Sequence, residues 1–151
     1  GNRMINARSE TVAEKPSFKA AFKKSRCLIV NGGFFEWTGS KGNKKPLFLK
    51  PEGEAGLWEV WRPRKEPESA PLHSCTILTM DASESIRRIH HRMPVMLKPD
   101  SYALWVDPGE IAPGDFETLA IYCDFEAAPV SQAVNSPENN DSSILDPLFD
   151  K

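Results

Sequence analysis

Short runs of apolar residues, broken by glycine, proline or polar residues, recur along the chain and predict a set of short strands. Helical spacing is less frequent. It is clearest after Pro16 and Ser17, which mark a helix start, where Phe18, Ala21 and Phe22 share one side. The predicted strands lie at 27–30, 34–37, 46–49, 56–61, 74–79, 95–97 and 129–134, and further helices at 83–88, 99–105 and 116–122.

Many short strands with few helices predict one α+β domain. We expect the strands to form a curved, barrel-like and mainly antiparallel sheet with the helices at its flanks. The polar stretch 39–45 predicts a hairpin loop, and the charged, proline-rich stretch 62–71 predicts an exposed loop. The domain is expected to span residues 1–135, with 136–151 as a polar carboxy-terminal tail.

Charge is distributed unevenly along the chain, although the formal net charge is only −2. Residues 1–50 carry 11 Lys/Arg against 3 Asp/Glu, whereas residues 101–151 carry 1 against 10. A basic first third, which includes Lys44 and Lys45, can form a face that attracts phosphate. The same pattern also fits a solvated surface that pairs with the acidic carboxy-terminal third. Charge therefore permits nucleic-acid binding without establishing it.

The composition disfavours several classes of protein and site. No apolar run approaches the roughly 20 residues that cross a bilayer, and no basic-then-apolar leader is present. We therefore expect a cytoplasmic protein with no membrane association. Cys27, Cys75 and Cys123 lie widely spaced in apolar stretches without a CxxC motif, which favours inert core thiols over disulfides or nucleophiles. No metal and no cofactor are expected.

Polar and apolar residues alternate near the start of the chain, where Asn6, Arg8 and Glu10 are separated by single residues. In an extended segment these three side chains project from one face. They can line a binding site, or they can form an ordinary strand that faces solvent.

Glu36 lies among aromatic residues, directly after the break at Gly32 and Gly33, where backbone can approach closely. A carboxyl group among aromatics loses water, which favours its neutral form and suits a proton donor. The alternative is that strand alternation turns Glu36 towards solvent.

The stretch from His90 to Pro94 contains a further candidate site. In an extended chain His90 and Arg92 share one face, and His91 points to the other. A histidine near an arginine can move protons or contact phosphate, although a single histidine is more often structural.

Taken together, these segments resemble the SOS response-associated peptidase (SRAP) family. Several motifs appear in the family's order over nearly the whole chain, and this combination is specific where any single motif is weak. They lie at 6–10 (NARSE), 27–30 (CLIV), 33–37 (GFFEW), 55–59 (AGLWE), 75–79 (CTILT), 89–97 (IHHRMPVML), 129–131 (PVS) and 134–135 (VN).

The resemblance implies a protein that grips single-stranded DNA and reacts with the ring-opened sugar of an abasic site. In the family, self-removal of the initiator Met exposes an amino-terminal Cys. Its amine forms a Schiff base, and its thiol closes that to a thiazolidine. By motif, Asn6 matches the residue that positions the reactive terminus. Glu36 matches the acid that opens the sugar, and His90 matches a residue suited to moving protons.

The resemblance also implies the DNA contacts. Arg8 matches an arginine at the DNA backbone near the lesion, and Trp37 lies beside the site, where it stacks or packs. Apart from the resemblance, Lys44, Lys45 and Arg92 are further candidate DNA-binding residues, which together with Arg8 would hold a non-catalytic remnant on DNA. The expected partner is single-stranded DNA with abasic sites, and the full-length protein is expected to be a monomer.

One departure from the family pattern concerns the start of the chain. The family begins with Met-Cys-Gly-Arg several dozen residues before its asparagine motif, whereas Asn6 here is almost at the beginning. We therefore expect a fragment that lacks the amino-terminal strands and the reactive Cys, and that is inactive by itself. Two alternatives stay open, namely a cysteine peptidase acting on other proteins and a non-catalytic remnant that binds single-stranded DNA.

Overall fold

The structure is a computed structural model that describes residues 4–50, 54–61, 70–109, 111–121 and 125–146. The chain divides into two compact units. The first comprises Gly1–Val30, Gly53–Met80 and Pro94–Tyr122, and the second comprises Asn31–Glu52, Asp81–Met93 and Cys123–Lys151.

Ten strands and four α-helices are assigned in the described residues. The strands are β1 (Asn6–Arg8), β2 (Arg26–Ile29), β3 (Phe34–Thr38), β4 (Lys45–Lys50), β5 (Glu54–Trp61), β6 (Leu72–Asp81), β7 (Arg92–Pro94), β8 (Met96–Leu97), β9 (Ala120–Ile121) and β10 (Glu126–Pro129). The α-helices are α1 (Pro16–Lys24), α2 (Glu84–Arg87), α3 (Tyr102–Val106) and α4 (Pro113–Leu119). Short 3-10 helices lie at Ser9–Thr11, Pro99–Ser101, Gln132–Asn135 and Ser142–Leu145. None of these helices is long and apolar enough to cross a bilayer.

The first unit is organised around β5 and β6, which run antiparallel. Strands β2 and β8 pair antiparallel with β5, and β9 pairs antiparallel with β8. At one edge β1 pairs in parallel with β6, which places Asn6 opposite Ile77 and Arg8 opposite Thr79. Because strand side chains alternate, Ala7 is buried while Asn6 and Arg8 are exposed.

Helix α1 covers this sheet with a small aromatic core. Phe22 of α1 and Phe116 of α4 both pack against Trp105, which has no exposed surface. The Trp105 indole Nε1 donates to the backbone oxygen of Cys27 at 2.9 Å, so α3 is tied to β2.

A buried arginine closes the same core. The Arg26 side chain is on the first residue of β2, and the residue is only 6% exposed. Its Nε donates to the Trp105 oxygen at 2.7 Å, Nη1 to Phe22 O at 2.8 Å, and Nη2 to Gly109 O at 2.8 Å and to Asp107 O. Burial lowers the pKa of Arg26, and the nearby Asp107 carboxylate opposes that shift. The guanidinium therefore exchanges water for fixed backbone oxygens.

The second unit contains a three-stranded antiparallel sheet in the order β10–β4–β3. Strands β3 and β4 form the predicted hairpin, with Glu36 opposite Leu47 and Thr38 opposite Lys45. Gly33 enters β3 with a φ of 149°, and a Cβ there would lie 2.3 Å from the Phe48 ring and 2.5 Å from Leu49 O. This close approach explains why glycine stands before the strand.

The α+β class expected from the sequence is confirmed. The described strands pair in two sheets, and those pairings do not close a barrel. The strands expected at 27–30, 34–37, 46–49, 56–61 and 74–79 are present with shifts of a few residues at their ends. Residues 62–69 of the expected loop lie outside the described residues.

Some local expectations are wrong. The strand expected at 129–134 ends at Pro129, because the Ser131 hydroxyl accepts from Ala133 N at 3.2 Å and starts a 3-10 helix. Val30, the last residue of the strand expected at 27–30, lies beyond the end of β2 and is 86% exposed. The helix expected at 116–122 is displaced towards Pro113–Leu119 and is followed by β9.

Candidate active site

Glu36 and His90 lie side by side in the second unit. Glu36 is in the middle of β3, and His90 follows α2, where its amide donates to Ile86 O at 2.9 Å. The His90 Nδ1 atom is 3.7 Å from Glu36 Oε1, with side chains 39% and 23% exposed respectively. A carboxylate and an imidazole thus share a partly solvated position, where a proton can pass between them or to a bound molecule.

The His90 ring is oriented by the backbone of Arg92. Its Nδ1 lies 3.2 Å from Arg92 N and 3.0 Å from Arg92 O. A neutral ring with an unprotonated Nδ1 accepts from the amide, whereas a protonated Nδ1 donates to the carbonyl and faces Glu36. Which of the two contacts is a hydrogen bond therefore depends on whether the tautomer carries a proton on Nδ1.

His91 does not point away from His90. The two ring centroids are 4.4 Å apart with an interplanar angle of 40°, so the expectation of opposite faces is wrong. The reason is local, since both histidines lie in the turn after α2 and β7 begins only at Arg92.

The segment between β6 and β7 is braced at its base. Arg92 Nη1 donates to Asp81 Oδ1 at 2.6 Å, and Ala82 N donates to His91 O at 3.1 Å. The side chain of Ile86 is buried inside this segment. Contacts between the two ends of this segment therefore fix the shape of the loop that contains His90.

Trp37 is held by a residue that the sequence analysis did not single out. Its indole Nε1 donates to Asn135 Oδ1 at 2.7 Å, and the partners are 98 positions apart. Asn135 ends the 3-10 helix that Ser131 caps. The only signal in the sequence was that Asn135 belongs to the last motif of the family resemblance, and no spacing rule links it to Trp37.

The other candidate residues are distributed over both units. Asn6 and Arg8 are exposed on β1 in the first unit, and their grouping with Glu36 and His90 stays a prediction. Lys44 and Lys45 are exposed at the loop end of the β3–β4 hairpin. The structure therefore brings Glu36 and His90 together, with Arg92 beside His90.

The cysteines differ in environment. Cys27 is half-buried, and burial raises the pKa of its thiol, with a smaller contribution from Cys75. Cys75 is exposed, so the expectation that it is a core thiol is wrong. Cys123 lies outside the described residues. The raised pKa makes Cys27 a poor nucleophile near neutral pH.

In the described residues, no three His, Cys, Asp or Glu side chains are grouped so that they could hold a metal ion. The first unit contains a cavity of about 510 Å³ next to α1. Its lining is formed by residues of α1, α4, the segments that precede them and Arg26 of β2, and it includes none of the candidate catalytic or DNA-binding residues.

Known proteins of similar sequence cover most of this chain. Abasic site processing protein YoaM of Bacillus subtilis is 37% identical over 155 residues, which is 97% of this chain and 67% of YoaM. Abasic site processing protein HMCES of Gallus gallus is 34% identical over 169 residues, which is 95% of this chain and 50% of HMCES. The chain therefore spans about two thirds of one relative and half of the other.

The fold is shared with proteins of known structure. A crystal structure of a protein from Bacteroides thetaiotaomicron matches 98% of this chain and 67% of its own, with a TM-score of 0.84 at 24% identity. The family model described as "SOS response associated peptidase (SRAP)" matches residues 1–137. Because that match takes in most of the chain, this protein belongs to the SRAP family.

Proposed function

We propose that this chain belongs to an abasic-site processing protein that binds single-stranded DNA and traps the lesion covalently. Family membership and the relatives named abasic site processing proteins support the proposal. The observation that carries it is the Glu36–His90 pair, with 3.7 Å between carboxylate and imidazole. We assign the function to residues 1–135 and regard 136–151 as a tail.

The chemistry assigned to this pair is proton transfer. The abasic sugar opens to an aldehyde when its ring oxygen gains a proton from the carboxylic acid of Glu36 and its hydroxyl loses one. A primary amine then adds to the aldehyde and water leaves, which forms a Schiff base. His90 accepts the proton of the amine and returns one to the departing hydroxyl. A thiol finally adds across the C=N bond, which gives a thiazolidine.

The resemblance assigns the amine and thiol to an amino-terminal Cys. The first residue of this chain is Gly1, and its three cysteines are internal. In this proposal Asn6 positions that terminus, while Glu36 and His90 supply the acid and the base.

Binding of the DNA is assigned to basic and aromatic side chains. Arg8, Lys44, Lys45 and Arg92 contact phosphates, which fixes the register of the strand without reading its sequence. Trp37 offers a ring face on which a base can stack. Its indole nitrogen is already engaged by Asn135, so the plane of that ring is set before DNA binds.

Two other functions compete with lesion trapping. A cysteine peptidase acting on other proteins needs an activated thiolate, and the raised pKa of Cys27 counts against that residue. A non-catalytic binding protein needs only the basic residues, and it predicts salt-sensitive binding that ignores the lesion.

The decisive experiment is crosslinking to single-stranded DNA that carries one abasic site, followed by a denaturing gel. The 151-residue chain is compared with a form extended to a Met-Cys-Gly-Arg start. We expect a shifted band from the extended form alone. Glu36→Gln and His90→Asn in that form should each weaken the band, since each removes a proton-transfer group.

Matched controls use residues of the same type at exposed positions. Glu126→Gln controls for loss of a carboxylate, and His73→Asn controls for loss of an imidazole. A tetrahydrofuran lesion, which has no aldehyde, should give no band. If neither the 151-residue chain nor the extended form gives a band with the true abasic site, the trapping function is refuted. DNA binding alone is then the better account.

A further inference from the structure

The ion pair between Arg92 and Asp81 is unequal in exposure. The Arg92 side chain is 12% exposed, whereas the side chain of Asp81 is 77% exposed. Arg92 Nη1 nevertheless donates to Asp81 Oδ1 at 2.6 Å, a short charge-assisted hydrogen bond. A nearly covered cation is therefore neutralised at the surface by a carboxylate that is almost free to move into water.

Little free energy is needed to separate the Arg92 and Asp81 side chains. An ion pair with a solvated partner adds little to stability, because water screens it and holding the side chains costs entropy. The carboxylate oxygens of aspartate and the oxygens of a phosphodiester accept the same hydrogen bonds from a guanidinium. A phosphate that reaches Arg92 can therefore take the place of the carboxylate.

We propose that Asp81 is an exchangeable counter-ion for Arg92. It occupies the guanidinium while no DNA is bound, and it gives way to a phosphodiester oxygen of the DNA backbone. The proposal rests on the proposed function in that the incoming anion is DNA. It adds a competing group, built into the protein, that lowers the affinity of every DNA strand for this position.

The exchange leaves the rest of the segment in place. Ala82 N donates to His91 O and Arg87 Nη2 donates to Ala82 O at 3.2 Å, so the backbone at the base of the segment is held without the Asp81 carboxylate. Ile86 and Met93 are buried beneath it. Displacement of Asp81 therefore moves a side chain and keeps His90 in position.

The test compares Asp81→Asn with Glu84→Gln, a control that removes one exposed negative charge from the same segment. The affinity of the full chain for undamaged single-stranded DNA is measured by fluorescence anisotropy at several salt concentrations. We expect Asp81→Asn to bind roughly two- to five-fold more tightly, and more tightly than Glu84→Gln. In the original chain, the Asp81 carboxylate that DNA displaces attracts a cation from solution, and the Asp81→Asn chain lacks this uptake. The slope of log affinity against log salt concentration should therefore steepen by up to about 0.7 in Asp81→Asn.

A double variant shows whether the effect passes through Arg92. In an Arg92→Gln background, Asp81→Asn should differ from Glu84→Gln by less than the error of the measurement. An Asp81→Asn chain that binds DNA no better than the Glu84→Gln chain overturns the proposal, because the carboxylate then does not compete for Arg92.

A titration with inorganic phosphate separates this proposal from the function on which it rests. The Arg92 Nε–H signal is followed by NMR, which also reports whether each variant is folded. We expect its midpoint at lower phosphate in Asp81→Asn than in the original chain or in Glu84→Gln. If no form binds DNA, DNA binding is refuted, and the phosphate midpoints still decide whether Asp81 occupies an anion site. Equal midpoints overturn the exchange.

Discussion

Arg26 and Arg92 are both largely covered, yet their surroundings differ in kind. Arg26 in the first unit is 6% exposed and donates to four backbone oxygens of fixed position. Arg92 in the second unit donates to the carboxylate of Asp81, which is 77% exposed. The four backbone partners of Arg26 cannot leave, whereas the Asp81 partner of Arg92 can.

This difference matches the roles proposed for the two residues, a structural one for Arg26 and DNA binding for Arg92. Backbone oxygens carry partial charges that stay in place, so they stabilise Arg26 only while the core remains folded around it. A side-chain carboxylate neutralises Arg92 and can still be replaced by another anion. The identity of the counter-group therefore indicates the role of the arginine better than the burial of the arginine does.

Replacement of Arg26 should have the largest effect. Arg26→Met leaves several buried carbonyl oxygens without donors, and we expect a loss of about 3 kcal/mol in the free energy of unfolding. Urea denaturation measures it. Arg88→Met, at an exposed position, should stay within about 0.5 kcal/mol of the original chain. Equal losses for the two variants would break the distinction between the arginines.

Substitution of Gly33 measures how far the β3–β4 sheet of the second unit can adjust to an added side chain. Gly33→Ala places a methyl group against the Phe48 ring and the Leu49 oxygen at a φ that disfavours L-residues. We expect a loss of about 2 kcal/mol in thermal or urea unfolding. Gly32→Ala is the matched control, since a Cβ there meets nothing within 4 Å. A stable Gly33→Ala chain would mean that β3 can shift to accommodate the methyl group.

The two described cysteines allow a second comparison, between a half-buried and an exposed side chain of the same type. In a Cys123→Ser chain, iodoacetamide at pH 8 should alkylate exposed Cys75 several-fold faster than Cys27. Burial raises the pKa of Cys27, so its reactive thiolate is scarcer than usual below that pKa and increases as the pH rises through it. Mass spectrometry of peptides gives both rates, and the Cys27 rate should rise between pH 8 and pH 9.5. Equal rates at pH 8 would contradict this assignment.

The smallest effect is expected at Asn135. Asn135→Ala removes the acceptor of the Trp37 indole, and we expect about three-fold weaker binding of single-stranded DNA if a preset ring plane aids stacking. Fluorescence anisotropy measures this, with Asn140→Ala as an exposed control. Unchanged affinity would assign Trp37 to packing alone.

Local pattern was sufficient to predict much of the fold. The polar stretch 39–45 between two apolar runs predicted the β3–β4 hairpin, since a hairpin is specified by residues that are neighbours in sequence. The same reasoning failed after Pro129, where one hydroxyl–amide contact at Ser131 turned an expected strand into a 3-10 helix. Apolar periodicity carries no information about such a cap.

Candidate residues were easier to name than their partners. Glu36 and His90 were found through motifs, and the structure places them in contact. Asn135 and Asp81 were not found, and Arg26 was not singled out. Each depends on a contact formed in three dimensions, such as that of Asn135 with Trp37 across 98 positions. Residue type and spacing do not encode these pairings.

The parallel pairing of β1 with β6 has a consequence for the order in which the chain folds. β1 carries Asn6 and Arg8 and is synthesised before its partner strand, because the partner residues lie about 70 positions later, as the Ala7–Thr79 contact across 72 positions shows. Closing so long a loop costs conformational entropy. The pairing of the three-residue β1 with β6 can offset that cost only after β6 has paired with β5. On the ribosome, Asn6 and Arg8 therefore emerge before β5 and β6 and reach their final positions only once those strands are available, after the hairpin that carries Glu36 can already have formed.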